Sequence, residues 1–130
     1  VDEDINQFIK DNLFFRILLP ALNRVSIIGY RNKTDAEAML GLIAILRHKE
    51  KSGKFPESLD ELAEAGLLKT VPIDPFSDKP LVYRRTDDGF TLYSVGWNFV
   101  DDGGTIFRND KGRAKMWADE GDAVFWPVRW

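Results

Sequence analysis

"VPIDPFSDKPLVYRRTDDGFTLYSV", residues 71–95, decides how the chain is organised. Pro72, Pro75 and Pro80 all fall in its opening part, "VPIDPFSDKP". Proline lacks a backbone donor and restricts the residue before it, so this part is neither helix nor central strand and reads as an ordered, extended connection. The pattern then changes. "LVYRR" and "FTLYSV" flank "TDDG", and Asp88-Gly89 is a hairpin signal, because a two-residue type I′ turn needs positive φ at both central positions. An antiparallel hairpin is therefore predicted directly after the prolines.

Upstream of this boundary the spacing is helical. Thr34 and Glu37 form a capping-box pattern before Ala36 to Lys51, a run of good helix formers that Gly53 ends. Met39, Leu42, Ile43, Ile45 and Leu46 are the expected buried face. Ser58 and Glu61 make a second capping box before a short helix through Ala65, stopped at Gly66 and pinned by Leu59, Leu62 and Leu67. Residues 3–30 place Ile5, Phe8, Ile9, Leu13, Phe15, Leu18, Leu22, Val25 and Ile28 at amphipathic spacing. Pro20 predicts a kink or two shorter helices there, and Gly29 and Asn32 in "GYRNKT" predict a break. Beyond the hairpin the chain is loop-like to about Asp110, passes through "KGRAKMW" and closes with a strand in "AVFWPVRW", which Pro127 marks as an edge or an end. Helices followed by a small antiparallel sheet give an α+β class. Residues 1–33 are expected to be an N-terminal helical segment and 34–130 the α+β domain.

Composition narrows the function. The net charge of -3 gives no electrostatic reason to seek nucleic acid, and "RR" at 84–85 with "KGRAK" is a weak counter-signal. With no cysteine, disulfides, thiolate metal sites and thiol catalysis are excluded together. Position 1 is Val rather than Met, which predicts that the chain is cut from something longer. "LFFRILLPALNRVSIIGY", residues 13–30, is interrupted by Arg16, Pro20, Asn23 and Arg24, and is read as too broken to cross a bilayer.

His48 is the one histidine, late in the long helix between Arg47 and Lys49, and reads as an ordinary surface or C-terminal-turn residue. A nucleophile–base–orienter set is not assembled around it, and no phosphate-binding glycine motif occurs. The carboxylates are more informative. Asp87 and Asp88 serve the hairpin turn, while Asp101, Asp102, Asp119, Glu120 and Asp122 lie in glycine-rich loops that lack the rigid mounting of two-carboxylate hydrolysis. Calcium suits such loops, because it accepts carboxylate, amide and carbonyl oxygens in irregular geometry. A solvated acidic loop without an ion is the alternative. Residues 109–120 are not an EF-hand, since Lys111, Arg113 and Lys115 stand where oxygen ligands belong. Trp97, Trp117, Trp126 and Trp130 cover a short sheet or, alternatively, Trp97, Trp117 and Trp126 offer a platform for a carbohydrate or peptide.

With "GKFPESLDEL", "VPIDPFSDKPLVYRR", "DDGFTLYSVGWNFVDDGG" and "GDAVFW" in place, the chain from about Thr34 onward resembles the major pseudopilins of type II secretion systems. The resemblance implies a long helix leading to a small sheet and an acidic glycine loop that binds a structural calcium ion. Carried over residue by residue, it implies the Val95 carbonyl, Asn98 in place of an aspartate, Asp101, Asp102 and Asp122 as ligands, with Asp119 and Glu120 nearby. Residues 105–118 stand as an insertion between the two acidic parts. Residues 1–33 depart from the family's continuous apolar helix through their acidic start, Arg16 and Pro20, which keeps open the outer domain of a larger envelope protein. The implied role is non-enzymatic: assembly or interaction outside the cytoplasmic membrane, with protein partners such as further copies or other pseudopilins, and a membrane anchor upstream.

Overall fold

The computed structural model describes residues 3–128, without the side chains of Phe8, Ile9 and Asp11. Trp130 and the side chains of Phe8 and Ile9, all used in the sequence reading, lie outside the described residues. The chain forms two units, Val1–Asn32 and Lys33–Trp130.

The first unit holds α1 (Glu3–Asp11) and the beginning of α2 (Leu13–Ser52). Glu3 and Asp4 open α1 and Lys10 closes it, each with the sign that suits its end of the helix dipole. The break comes at Asn12, whose carbonyl accepts the Arg16 N–H at 3.1 Å, and not at Pro20, which lies inside α2. The break expected over Gly29–Asn32 does not occur either, and Thr34 is a buried mid-helix residue instead of a cap. A glycine or a cap shifts helix stability by about 1 kcal/mol, less than the leucine-, isoleucine- and alanine-rich turns on both sides supply by propagating the helix.

In the second unit the later part of α2 is followed by α3 (Leu59–Glu64), β1 (Ile73–Asp74), β2 (Lys79–Pro80), β3 (Val82–Arg85), β4 (Phe90–Ser94) and β5 (Ala123–Trp126). This is the α+β arrangement expected. The Ser58 hydroxyl caps α3 by accepting the Glu61 N–H, and Leu59 and Leu62 are buried in the core. The proline-rich connection is more ordered than an extended link: β1 and β2 pair as a short antiparallel ribbon. β3, β4 and β5 form one antiparallel sheet with β4 in the centre. The hairpin is present, but Thr86 N–H donates to Gly89 O, so Asp87 and Asp88 are the central pair, and neither has positive φ. The loop is therefore not the type I′ turn expected. Residues 107–115 add a ribbon that the sequence left as loop, closed by Asn109 N–H to Arg113 O and Lys115 N–H to Phe107 O.

The helix face that meets this sheet is only partly the one expected: Ile45 is in the core and Leu42 packs against it. Met39, Ile43 and Leu46 are about half exposed, and the buried positions are Thr34, Ala38, Gly41, Ala44, Ile45 and His48. Small residues let the backbone of α2 come close to Pro72 and Leu92, which lie opposite Gly41. Around them Leu59, Leu62, Leu81, Phe90 and Leu92 complete the core. A bulge between β4 and β5 breaks the strand alternation, so that the neighbours Phe125 and Trp126 both pack against it.

His48 is buried, not on the surface. Its Nδ1 lies 3.1 Å from the Lys54 carbonyl oxygen and its Nε2 3.1 Å from Glu61 Oε1, which ties the end of α2 to the following loop and to α3.

A Cβ on Gly41 would sit 3.5 Å from Pro72 and 3.7 Å from Leu92, ordinary contact distances. Gly41→Ala should therefore stabilise the fold by about 0.5–1 kcal/mol through helix propensity. Gly41→Leu should destabilise it by about 1–3 kcal/mol through overpacking. Urea unfolding followed by circular dichroism reads both signs.

Candidate functional site

The acidic loops meet where β4 ends and β5 begins. Two buried carboxylates organise this region. Asp74, fully buried, accepts the Phe76 N–H at 3.0 Å and the Ser94 hydroxyl at 2.9 Å on Oδ1, and the Val95 N–H at 3.0 Å on Oδ2. It thus holds its own turn and the end of β4 together. Asp122, 2% exposed, faces the second loop. Its Oδ1 accepts the Asp102 N–H at 3.2 Å, and its Oδ2 accepts Gly104 N–H at 2.7 Å and Thr105 N–H at 3.1 Å. The Asp122 N–H completes the closure on Thr105 O at 2.8 Å.

Close backbone approach requires Gly121 beside it. A Cβ there would lie 2.8 Å from Thr105 O and 2.9 Å from Phe107 N, and φ is +77°. No larger residue fits between these two segments without moving main chain.

The residues implied as calcium ligands separate into three places. Asn98, Asp102 and Glu120 border a cleft of about 390 Å³, where Asn98 Nδ2 donates to Asp102 Oδ2 at 2.8 Å. Asp101 turns to the sheet, accepting the Tyr93 hydroxyl at 2.8 Å and the Gly103 N–H at 2.9 Å, with Arg84 at 3.7 Å. Asp122 keeps its three amides, and Val95 is tied through its N–H to Asp74. Asp119 is exposed. Among the described residues no three acidic or histidine side chains converge on one point. The oxygens of Asp122 accept the N–H groups of Asp102, Gly104 and Thr105, so this carboxylate ties the loop through the backbone.

Electrostatics follow from the same bonds. The Gly103 N–H, then the Tyr93 hydroxyl, hold the Asp101 carboxyl below the usual carboxylate range. The Glu57 N–H, then His48, do the same for Glu61. Burial pushes Asp122 up, against the downward pull of its three amides. Burial, aided by the Asp101 bond, also raises the Tyr93 phenol.

Aromatic rings flank the loops. Trp97 meets Phe99, Phe99 meets Phe76, Phe76 meets Trp117 and Trp117 meets Phe125, with centroids 5.6–6.1 Å apart. Trp126 stacks on Phe90 at 5.4 Å in a separate group. The three described tryptophans are all half-buried.

Asp74 was not among the residues singled out for the site. An acid held between Pro72 and Pro75, in a connection that must be ordered, was the available signal: a buried carboxylate there has to find donors. No family model matches the chain, and neither the curated proteins nor the solved structures yield a match.

Asp122→Ala leaves three amides without their acceptor and should cost about 1–3 kcal/mol, since the loop's exposed side lets water replace part of the loss. Urea unfolding gives the number, and faster hydrogen exchange at Asp102, Gly104 and Thr105 locates it.

Asp101 and Glu61 bind protons less readily folded than unfolded. Their contribution to stability is complete above the ordinary carboxylate range near pH ~4 and is lost as pH falls through their lowered values. The thermal midpoint should fall between about pH 5 and pH 3 in the wild type, and fall less steeply in Asp101→Asn/Glu61→Gln.

Proposed function

We propose that this chain is a non-enzymatic, pseudopilin-like assembly module of the bacterial cell envelope, held at a membrane by its N-terminal helical segment and working with protein partners as part of a type II secretion system or a similar machine. The observation that carries this reading is α2. It is long and apolar enough to cross a membrane, with an 18-residue window of mean hydropathy 1.3, none of it buried. As a sequence, the stretch around Pro20 looked too interrupted; as continuous helix, its length and composition suffice. Leu13, Phe14, Ile17, Leu22, Val25 and Ile28 are all more than half exposed.

A non-enzymatic role is supported by what the polar groups are doing. His48 joins two helices, and the buried acids Asp74 and Asp122 hold backbone amides. Each is engaged in a structural tie. The structural calcium ion that the resemblance implies would have to settle in the cleft between Asn98, Asp102 and Glu120 and recruit further oxygens by displacing bonds already made. Glycan or peptide binding is the second reading, favoured by Phe99, which is 59% exposed beside the half-buried Trp97.

Flotation of the full chain with phosphatidylethanolamine–phosphatidylglycerol vesicles tests the membrane reading. The wild type should rise with the lipid, and Ile17→Glu/Val25→Glu should stay below; a wild type left at the bottom overturns it. Melting in calcium and in chelator tests the ion: an occupied site at a hundredfold excess over Kd adds about 2.7 kcal/mol, whereas equal midpoints remove calcium from the proposal.

A further inference from the structure

The apolar beginning of α2 carries its few polar groups in an ordered way. With about 100° of turn per residue, Phe14, Ile17, Leu22, Val25 and Ile28, each more than half exposed, fall on one side of the helix. Arg16, Asn23 and Arg24, also exposed, gather with Pro20 on an arc of about 100° on the opposite side. Besides Pro20, Ile27 is the one apolar residue of positions 14–28 inside that arc, and it is half-buried. Ser26 is the one polar residue outside it, and its hydroxyl donates to the Leu22 carbonyl at 3.0 Å, so it asks for no water. The segment therefore has a narrow polar stripe and a broad apolar face.

That pattern decides how a membrane is met. Length and composition allow the helix to cross, but the stripe runs through the middle of the crossing, with Pro20, Asn23 and Arg24 nearest the centre of residues 13–30. An arginine near the centre of a spanning helix costs as much as roughly five to ten leucines return. Pro20 adds a second cost, since it has no N–H for the Arg16 carbonyl one turn earlier and hydrocarbon offers no replacement donor. At a membrane surface both costs disappear, because water and headgroups reach the stripe while the opposite side sinks below them. The sequence also carries cations and no acid between Asp11 and Asp35, which suits anionic headgroups. The acids Glu3 and Asp4 lie on α1, beyond the break at Asn12.

We propose that residues 13–28 lie in the plane of an anionic phospholipid surface rather than across the bilayer, with the side that holds Phe14, Leu22 and Val25 below the headgroups and Arg16 and Arg24 against lipid phosphates. The inference rests on the membrane reading of the proposed function and gives it an orientation. An anchor of this kind uses one leaflet and weakens when its charges are screened.

The chain has no cysteine, so single thiols report on single positions. Full-length Leu22→Cys, Asn23→Cys and Val25→Cys, each labelled with an environment-sensitive fluorophore, are bound to phosphatidylethanolamine–phosphatidylglycerol vesicles. Positions 22 and 25 should brighten and resist aqueous iodide, while position 23 stays dim and quenched. Equal protection at 22 and 23 overturns the proposal, because neighbours at the middle of a spanning helix share one depth. Arg16→Gln/Arg24→Gln should weaken binding to the same vesicles about 25-fold at low salt, near fivefold for each arginine. Unchanged or tighter binding by that variant is the spanning result and overturns the proposal, as does equal wild-type affinity for vesicles of phosphatidylcholine alone. Flotation separates the two levels. A wild type that rises with the lipid but fails these tests leaves the membrane reading standing, whereas one that does not rise overturns both.

Discussion

Negative charge taken out of water must be met by something, and in this protein the backbone amide meets it. Asp74 and Asp122 are both buried, and each is answered by N–H groups supplied by turns, with a serine hydroxyl added at Asp74. Such bonds are charge-assisted and directional, so they fix where the chain goes as well as holding it. Asp74 sets where β4 ends and the loop begins. Asp122 sets the path of residues 102–105 and aligns β5 for pairing with Ser94 through Ala123. A cation in the same place would attract carboxylates from any direction; amides donate to them only along the N–H axis.

The helical side of the fold is built on a complementary constraint, which is distance. Ala38, Gly41 and Ala44 carry little side chain, so α2 can lie close to Pro72 and Leu92, while Ile45 and His48 seal the end of the contact. The small sheet supplies bulk in return, through Phe90, Leu92 and the paired Phe125 and Trp126. This division explains why large apolar residues of α2 such as Met39, Ile43 and Leu46 remain on the outside.

Much of this was legible in residues read one by one. Ser58, Glu61, Leu59 and Leu62 announced α3, and the alternation on either side of "TDDG" announced β3 and β4. Signals worth about a kilocalorie were less dependable. Thr34 has the form of a cap and Gly29 that of a stop, yet cooperative helix extends through both. Hydrophobicity placed Ile45 and Leu42 correctly but not Met39, Ile43 and Leu46, because a helix packed through small residues hides alanine and glycine in their stead. At the candidate site, the sequence revealed that acids cluster but not what they face. Asp101, Asp102 and Asp122 are chemically alike in the chain; only the fold directs the first to a tyrosine, lets the second accept from Asn98, and turns the third inward to amides.

The three-stranded sheet also has two open margins among the described residues, β3 on one side and β5 on the other. Unpaired strands invite stray chains to add on and grow into fibres. Here each margin is spoiled as a template: β3 exposes Arg84 and Arg85, while β5 is only four residues long, distorted by its bulge and terminated by Pro127, which has no proton to give. The sheet is thereby a poor template for amyloid-like stacking.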